Sequence, residues 1–200
     1  MSSKKKILIT GGAGFIGSHV VDRLIQEGYE VSVIDNLSTG KKKNVNKKAK
    51  LYKIDIQSRG VGRALKAQRP TVIIHLAAQM NVRLSTEDPT FDASVNILGT
   101  INLLEHATQH GVRKVTFASS GGAAYGEQDV FPAPETHRTD PLSPYGISKL
   151  AGEKYLAYYS HETGIKYVAL RFGNVYGPRQ EPEGEAGVIA IFTKKMFSHF

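Results

Sequence analysis

Two residues at the start of a predicted helix could share a proton. Tyr145 and Lys149 are four positions apart, directly after Pro144, and on a helix this spacing puts both side chains on one face, with Cβ atoms ~5–6 Å apart. A phenol with an ordinary pKa of ~10 is a poor base at neutral pH. A neighbouring ammonium favours the phenolate, so the pair could take a proton from a substrate hydroxyl while hydride leaves the same carbon.

A glycine-rich turn near the start of the chain indicates a dinucleotide site. Gly12, Gly14 and Gly17 match the spacing G-x-G-x-x-G, and Gly11 extends the cluster, between a short β-branched run and a helical pattern. Glycines at such a junction allow a tight turn and a close approach of the backbone to a pyrophosphate. The free N–H groups of the helix that follows then face the anion.

An acidic residue stands where the ribose of such a nucleotide would lie. Asp35 ends the second predicted strand, 18 residues after Gly17. A carboxylate there accepts hydrogen bonds from both ribose hydroxyls and repels a 2′-phosphate, which favours NAD over NADP. The lysines in the range 41–50 could compensate a 2′-phosphate, but Asp35 stands at the strand end itself, so NAD is the predicted cofactor.

The elements that must position these groups alternate between strands and helices. We expect strands at 7–10, 30–34, 51–54, 71–76, 112–119 and 166–171, and helices at 14–27, 60–68, 90–110, 145–163 and 188–200. The long segment 120–144 is expected to be a loop. This alternation predicts an α/β fold with a doubly wound parallel sheet of the Rossmann type.

Composition limits the alternatives. The 200 residues are 40% hydrophobic and 22% charged, as in globular proteins. No stretch reaches the ~18 apolar residues of a membrane-spanning helix, and the start of the chain lacks the pattern of a signal peptide. The absence of cysteine excludes disulfides and thiolate chemistry. We therefore expect a cytoplasmic protein without a membrane partner.

Two further site types are not favoured by the sequence. The seven histidines are scattered without ligand spacing, so no metal site is predicted. The net charge of +8 owes much to a lysine cluster at 41–50. That cluster has no interleaved aromatic residue for base stacking, so it is interpreted as a solvated loop rather than a nucleic-acid site. A nucleic-acid binder is kept only as a minor alternative.

Several ordered motifs together resemble a known family. They are Thr10–Gly17, Asp35–Gly40, Asp55-Ile56, His75–Gln79, Tyr145–Lys149 and Leu170–Arg179. The chain resembles the extended short-chain dehydrogenases/reductases, in the NAD-dependent epimerase/dehydratase branch, and within it the UDP-glucose 4-epimerases. The resemblance runs from residue 4 to residue 200. It implies inversion of carbon 4 of a UDP-hexose through a transient 4-keto sugar.

The resemblance also implies roles for individual residues. Tyr145 would be the acid/base, and Lys149 would bind the nicotinamide ribose and tune Tyr145. The implied cofactor-binding residues, besides this pair, are Gly11, Gly14, Phe15, Ile16, Asp35, Asn36, Ser38, Thr39, Gly40, Asp55, Ile56, Leu76, Ala77, Ala78, Gln79 and Asn96. Asn174 would hold the nucleotide diphosphate of the UDP-sugar, with Val188 beside it.

One stretch departs from the family pattern and also discriminates reactions. The family usually has Ser or Thr where this chain has Gly121, so Ser120, one residue earlier, is taken as the catalytic and substrate-binding hydroxyl, with water as the alternative. A sugar-nucleotide dehydratase needs an Asp-Glu pair where this chain has Gly122 and Ala123. Neither of these residues carries a proton, so elimination is disfavoured.

The resemblance predicts the domain organisation and the assembly. Residues 1–171 would form the NAD-binding domain and residues 172–200 the beginning of a smaller, truncated substrate domain. Relatives form a dimer through the long helix at 90–110 and the Tyr145 helix, so a homodimer is expected. Two alternatives stay open: another sugar-nucleotide enzyme of the branch, such as a reductase or decarboxylase, and a non-catalytic NAD-binding module.

Overall fold

A computed structural model of the chain describes residues 5–181 and 187–197. They form one parallel sheet with helices packed on it. Its six strands lie in the order β3-β2-β1-β4-β5-β6, with every neighbouring pair parallel. The strands are β1 (Lys6–Thr10), β2 (Glu30–Asp35), β3 (Lys50–Lys53), β4 (Val72–His75), β5 (Lys114–Ser120) and β6 (Lys166–Phe172). The strand order reverses between β1 and β4, and a crevice at such a reversal is the usual ligand site of an open α/β sheet.

Helices connect the strands across both faces of the sheet. They are α1 (Phe15–Gln26), α2 (Gly60–Gln68), α3 (Val82–Glu87), α4 (Pro89–Ala93), α5 (Gly99–Gln109), α6 (Gly121–Ala124), α7 (Pro144–Thr163) and α8 (Val188–Phe197). A π-helical turn, Ser94–Leu98, joins α4 to α5, and a short 3₁₀ turn lies at Lys42–Asn44. No helix within the described ranges is long and apolar enough to cross a membrane.

Two apolar clusters, one on each face, confirm that the sheet is doubly wound. Ile9, Val33 and Val21 belong to the cluster that includes α1. Leu8 and Ile73 belong to the other cluster, which includes residues of α2, α5 and α7. Alternate residues of β1 therefore point to opposite faces, and both faces are covered, as the continuous apolar strands predict.

Three local predictions need correction. The long helix begins at Pro89, within one residue of its predicted start, where the Asp88 carboxylate caps it by accepting a hydrogen bond from Phe91 N at 2.9 Å, but it is interrupted by the π-helical turn. The helix α3 lies in a segment for which no element was predicted. The predicted loop at 120–144 contains the short helix α6. The end of the predicted helix at 188–200, and residue 4 of the resemblance, lie outside the described residues.

Candidate active site

The glycine turn between β1 and α1 is packed too closely for side chains. Gly11 has a φ of +72°, and a Cβ there would lie 2.7 Å from the Ala77 backbone nitrogen. A Cβ on Gly17 would lie 2.1 Å from the Gly11 carbonyl oxygen. Among the described residues, no side chain caps the start of α1, and its first turn carries no acidic residue. The first N–H groups of α1, which starts at Phe15 and Ile16, therefore suit an anion.

Asp35 ties the end of β2 to this glycine turn. Its Oδ2 accepts a hydrogen bond from Ala13 N at 2.9 Å, and its Oδ1 accepts one from Leu37 N at 2.8 Å. Gly40 approaches so closely that a Cβ there would lie 2.9 Å from Asp35 Oδ1. Each carboxylate oxygen keeps a second lone pair, so Asp35 can still accept hydrogen bonds from a ribose.

A second polar group joins the ends of β2 and β3. Asn36 Nδ2 donates to Asp55 Oδ2 at 2.8 Å, while Asn36 Oδ1 accepts from the backbone N and the hydroxyl of Ser38 at 3.0 and 2.8 Å. Thr39 lies in the same turn. Ile56 differs from its neighbours, because its side chain is buried in the core and its carbonyl accepts from Asn102 Nδ2 at 2.6 Å. The side chain of Ile56 is therefore committed to packing.

Thr10 connects the ends of β1 and β4. Its Oγ1 accepts hydrogen bonds from the backbone N–H groups of Leu76 and Ala77, both at 3.2 Å, and lies 2.7 Å from His75 Nδ1. Because the hydroxyl already accepts two bonds, its own proton points to His75 Nδ1. These contacts hold the segment after β4, which includes Ala78, against the glycine turn.

The imidazole of His75 continues this chain of hydrogen bonds into the long helix. With Nδ1 accepting, Nε2 carries the proton and donates to Thr100 Oγ1 at 3.0 Å, and Thr100 donates to the Asn96 carbonyl oxygen at 2.6 Å. Burial lowers the pKa of His75 from 6.5 to about 3, and the charge of Lys149 acts in the same direction. The ring is therefore neutral, and this defines which group donates and which accepts in each of these hydrogen bonds.

The π-helical turn points Asn96 inward, towards the chain that leaves β4. Asn96 Oδ1 accepts from Gln79 N at 2.9 Å, and Asn96 Nδ2 donates to the Gln79 carbonyl oxygen at 2.8 Å. Both residues are buried. Single π-helical turns inside α-helices are frequent at functional sites, and here the turn holds the loop that follows β4.

The predicted pair lies at the start of α7. The Lys149 Nζ atom is 5.6 Å from the centroid of the Tyr145 ring and donates a 3.0 Å hydrogen bond to the Ala118 carbonyl oxygen. The backbone N–H of Tyr145 donates to Ser85 Oγ at 3.2 Å. Burial lowers the pKa of Lys149 from 10.5 to about 8, against an opposing effect of the Asp92 charge. Lys149 is therefore a buried ammonium beside a phenol.

Ser120 has a structural role in this conformation. It is the N-cap of α6, and its Oγ accepts a hydrogen bond from Ala123 N at 3.4 Å. A Cβ on Gly121 would lie 3.4 Å from the Arg171 carbonyl oxygen, which is ordinary contact. A side-chain Cβ would therefore fit at position 121, and packing does not explain why the residue is glycine. The catalytic role of Ser120 stays a prediction.

Two further residues predicted to bind substrate follow β6 in the chain. Asn174 is exposed just beyond the end of β6, and Val188 is the 61% exposed first residue of α8. The segment between them includes residues 182–186, which the structure does not describe. The roles of both residues stay predictions.

The segment Gly177–Glu181, here called the strap, returns from β6 to α1. His19 Nε2 donates to the Pro178 carbonyl oxygen at 2.8 Å, and an Arg179 nitrogen donates to Asp22 Oδ2 at 2.6 Å. These two contacts on successive turns of α1 hold the strap against that helix.

Both ends of the strap reach the predicted cofactor site. A Cβ on Gly177 would lie 3.7 Å from the ring of Phe15, at the start of α1. Glu181 forms an ion pair with Lys41, whose backbone N donates to the Ala13 carbonyl oxygen at 3.0 Å. The strap therefore borders the glycine turn.

Several buried or partly buried groups of the site were not predicted from the sequence. Asp92 is fully buried and bonded to Ser148, and Ser85 is fully buried against Tyr145. Glu153, two turns beyond Tyr145 on α7, forms a double hydrogen bond with Arg171 at 2.9 and 2.7 Å. A sequence signal exists only for Glu153, which continues the i, i+4 spacing of Tyr145 and Lys149.

Comparison with known proteins agrees with this arrangement. The sequence model of the NAD dependent epimerase/dehydratase family matches residues 7–198. The chain belongs to this family. The fold and the family predicted from the motifs are therefore confirmed.

Individual members of the family are similar over nearly the whole chain. A UDP-glucose 4-epimerase from Mycolicibacterium smegmatis is 44% identical over 198 residues, which cover 96% of this chain and 63% of the relative. The crystal structure of a Thermotoga maritima UDP-glucose 4-epimerase with UDP-glucose superposes with a TM-score of 0.95 at 52% identity, covering 96% of this chain and 63% of that one.

Two further structures carry other ligands. A Thermus thermophilus UDP-glucose 4-epimerase in complex with NAD has a TM-score of 0.94 at 51% identity, covering 98% of this chain and 63% of that one. A Methanobrevibacter ruminantium UDP-N-acetylglucosamine 4-epimerase in complex with UDP-N-acetylmuramic acid has a TM-score of 0.92 at 36% identity, with coverages of 98% and 64%. The chain thus spans somewhat less than two thirds of the length of these family members.

Proposed function

We propose that the chain is the cofactor-binding part, and the beginning of the substrate-binding part, of an NAD-dependent epimerase that inverts carbon 4 of a UDP-hexose. The observation that carries the proposal is the buried Lys149 ammonium beside Tyr145, at the carboxyl edge of a sheet whose first turn is a glycine cradle. Relatives named UDP-glucose 4-epimerase at 44–52% identity support the reaction. Residues 1–171 are assigned to the first part and residues 172–200 to the second.

The residues present fit NAD. The glycine turn leaves no room for side chains where a pyrophosphate would approach. Asp35 is a buried carboxylate beside that turn, and it would hold the adenosine ribose. Asn36 and Asp55 would hold the outer part of the adenosine. Leu76 and Ala77, fixed by Thr10, would line the nicotinamide half.

Each residue of the pair has a distinct task in the reaction. When bound, the nicotinamide ring supplies the chemistry of taking hydride from carbon 4 and returning it to the opposite face. Tyr145 takes the proton of the carbon 4 hydroxyl and returns it to the oxygen of the keto sugar. Lys149 holds a positive charge beside the phenol, which favours the phenolate during the first half of the reaction. The Ser120 hydroxyl is proposed to share the same proton.

The substrate is proposed to be a UDP-sugar held by Asn174 and Val188. The N-acetylated sugar is the second candidate for its hexose, because a UDP-N-acetylglucosamine 4-epimerase is 36% identical with a TM-score of 0.92. A reductase or decarboxylase of the same branch, and a non-catalytic NAD-binding module, are the alternatives that the test must separate.

A homodimer is proposed on the face formed by the long helix and α7. Phe91, Leu98, Tyr155 and Tyr158 are large apolar side chains of these elements and are exposed in the single chain. A second copy would cover them. The cytoplasmic location stays a prediction.

The reaction is tested with a chimera in which the C-terminal part of the Thermotoga maritima enzyme follows residue 200. We expect UDP-galactose to become UDP-glucose without net NADH formation, as read by sugar NMR, and Tyr145→Phe to abolish this conversion. UDP-N-acetylglucosamine in the same assay decides the second candidate. The 200-residue chain is titrated with NAD in parallel. Binding without conversion in the chimera would support the non-catalytic module instead.

A further inference from the structure

The carboxylate of Asp92, on α4, is fully buried, and Asp92 is not one of the residues given a catalytic or binding role above. Its Oδ1 accepts hydrogen bonds from Gln79 Nε2 at 2.9 Å and Asn96 Nδ2 at 3.0 Å. Its Oδ2 accepts one from Ser148 Oγ at 2.5 Å. The carboxylate therefore joins the loop after β4, the π-helical turn and α7 at one buried point.

The three hydrogen-bond donors around Asp92 are all neutral. A buried carboxylate is costly unless a positive charge or several hydrogen bonds compensate it, and a buried cation in the same region would stabilise it further. Ser148 immediately precedes Lys149 in α7, and Lys149 is also buried, with 4% of its surface exposed. The carboxylate therefore bonds to the residue that precedes the buried lysine, in an interior that screens charge weakly.

The other groups that face Lys149 do not supply a negative charge. His75 faces it from β4 and is neutral, Tyr145 faces it from its own helix, and the Phe117 ring faces it from β5 at 5.0 Å. The described anion that acts on Lys149 is Asp92. The Asp92 charge therefore offsets part of the effect of burial on Lys149, whose Nζ donates a hydrogen bond to the Ala118 carbonyl oxygen.

We propose that Asp92 is a positioning residue of the Tyr145–Lys149 pair, which fixes α7 through Ser148 and holds a negative charge beside the Lys149 ammonium. The link to catalysis rests on the proposed function, whereas the link to Lys149 does not. Burial alone lowers the pKa of Lys149, and the Asp92 charge opposes this effect. Without that charge, Lys149 loses its proton at a lower pH.

The first test titrates Lys149 in the 200-residue chain, with neither NAD nor sugar present. Lysine labelled with ¹³C at Cε gives an NMR signal for each side chain, and the signal that disappears in Lys149→Arg is that of Lys149. In Asp92→Asn we expect its midpoint to fall by at least ~0.5 pH unit, because an opposite charge has been removed. Ser148→Ala is the matched control, since it removes one hydrogen bond and keeps the charge, and its midpoint should stay within ~0.2 unit of the wild type.

An unchanged midpoint in Asp92→Asn would overturn the proposal, and so would equal shifts in Asp92→Asn and Ser148→Ala. If Asp92→Asn does not fold by circular dichroism, Asp92→Ser, whose smaller side chain fits the same space, is titrated instead. In the active chimera, the alkaline limb of the kcat profile should move to lower pH in Asp92→Asn but not in Ser148→Ala. An inactive chimera would count against the proposed function and would leave the NMR result standing.

Discussion

Lys149 Nζ lies 5.6 Å from the centroid of the Tyr145 ring, and only 4% of the lysine surface is exposed. This arrangement places a cation where it can act on a phenol, at the expense of desolvating the ammonium. The pKa of Lys149 consequently falls from 10.5 to about 8, mainly because of burial and despite the Asp92 charge.

Replacing Lys149 by Met should change how stability depends on pH. Between pH 8 and 10.5 the unfolded chain still binds the lysine proton while the folded chain has released it. The free energy of unfolding therefore rises with pH in this window, by up to about 3 kcal/mol from this one group. Lys149→Met lacks this rise, and urea unfolding at pH 7.5, 9 and 10 measures the difference. Parallel curves for the two proteins would contradict the assignment of a buried charge.

Gly17 should tolerate no side chain. A Cβ there would lie 2.1 Å from the Gly11 carbonyl oxygen, which is backbone and cannot yield cheaply. We expect Gly17→Ala to lower the free energy of unfolding by roughly 2 kcal/mol or more and to weaken NAD binding at least tenfold in a calorimetric titration.

Gly122→Ala is the matched control for the stability of Gly17→Ala. A Cβ at position 122 would meet nothing within 4 Å, and alanine favours the helical conformation of α6. Its unfolding free energy should equal or slightly exceed that of the wild type. Equal losses at positions 17 and 122 would show that the tight turn is not the cause.

His75 should make the protein sensitive to acid. Its pKa is about 3 in the folded chain, mainly because of burial, against 6.5 ordinarily, so the unfolded chain binds an extra proton below pH 6.5. The contribution of this group to stability is full above pH 6.5 and is lost as the pH falls towards 3, at up to ~1.4 kcal/mol per pH unit. His75→Gln should show a shallower decline between pH 6.5 and 4 in thermal or urea unfolding. A wild-type decline that is no steeper than that of the variant would mean that His75 is accessible to protons.

The sequence predicts the fold, the glycine turn and the catalytic pair because all three depend on local patterns. The β-branched runs, Gly11–Gly17 and the i, i+4 spacing of Tyr145 and Lys149 each act within one or two elements. The observed strand bounds agree with the predicted ones to within about two residues. The alternation of strands and helices predicts that the sheet is parallel, whereas the order of its strands is seen only in the structure.

The supporting groups of the site escape such reasoning because they depend on contacts between distant segments. Asp92 meets Ser148 across 56 positions, and Ser85 meets Tyr145 across 60. Neither serine differs in sequence context from a solvated one. The sequence does not reveal the π-helical turn, because the apolar residues keep a helical spacing through it. The inward direction of Asn96 depends instead on its hydrogen bond with Gln79.

The strap should slow the dissociation of the cofactor. It is held to α1 by the 2.6 Å hydrogen bond between Arg179 and Asp22 and by the 2.8 Å bond between His19 and Pro178, and it borders the glycine turn. Under the proposed function, Arg179→Ala frees one attachment. We expect the rate of NAD release to increase ~3- to 10-fold with a smaller change in the association rate, since differences in affinity between related complexes arise mostly in dissociation. Stopped-flow displacement of NAD measures both rates. Arg23→Ala removes the exposed ion pair with Glu27 at the other end of α1 and is the control for losing an arginine. If both variants release NAD at the wild-type rate, the strap does not retain the cofactor and its contacts serve only to fix the start of α1.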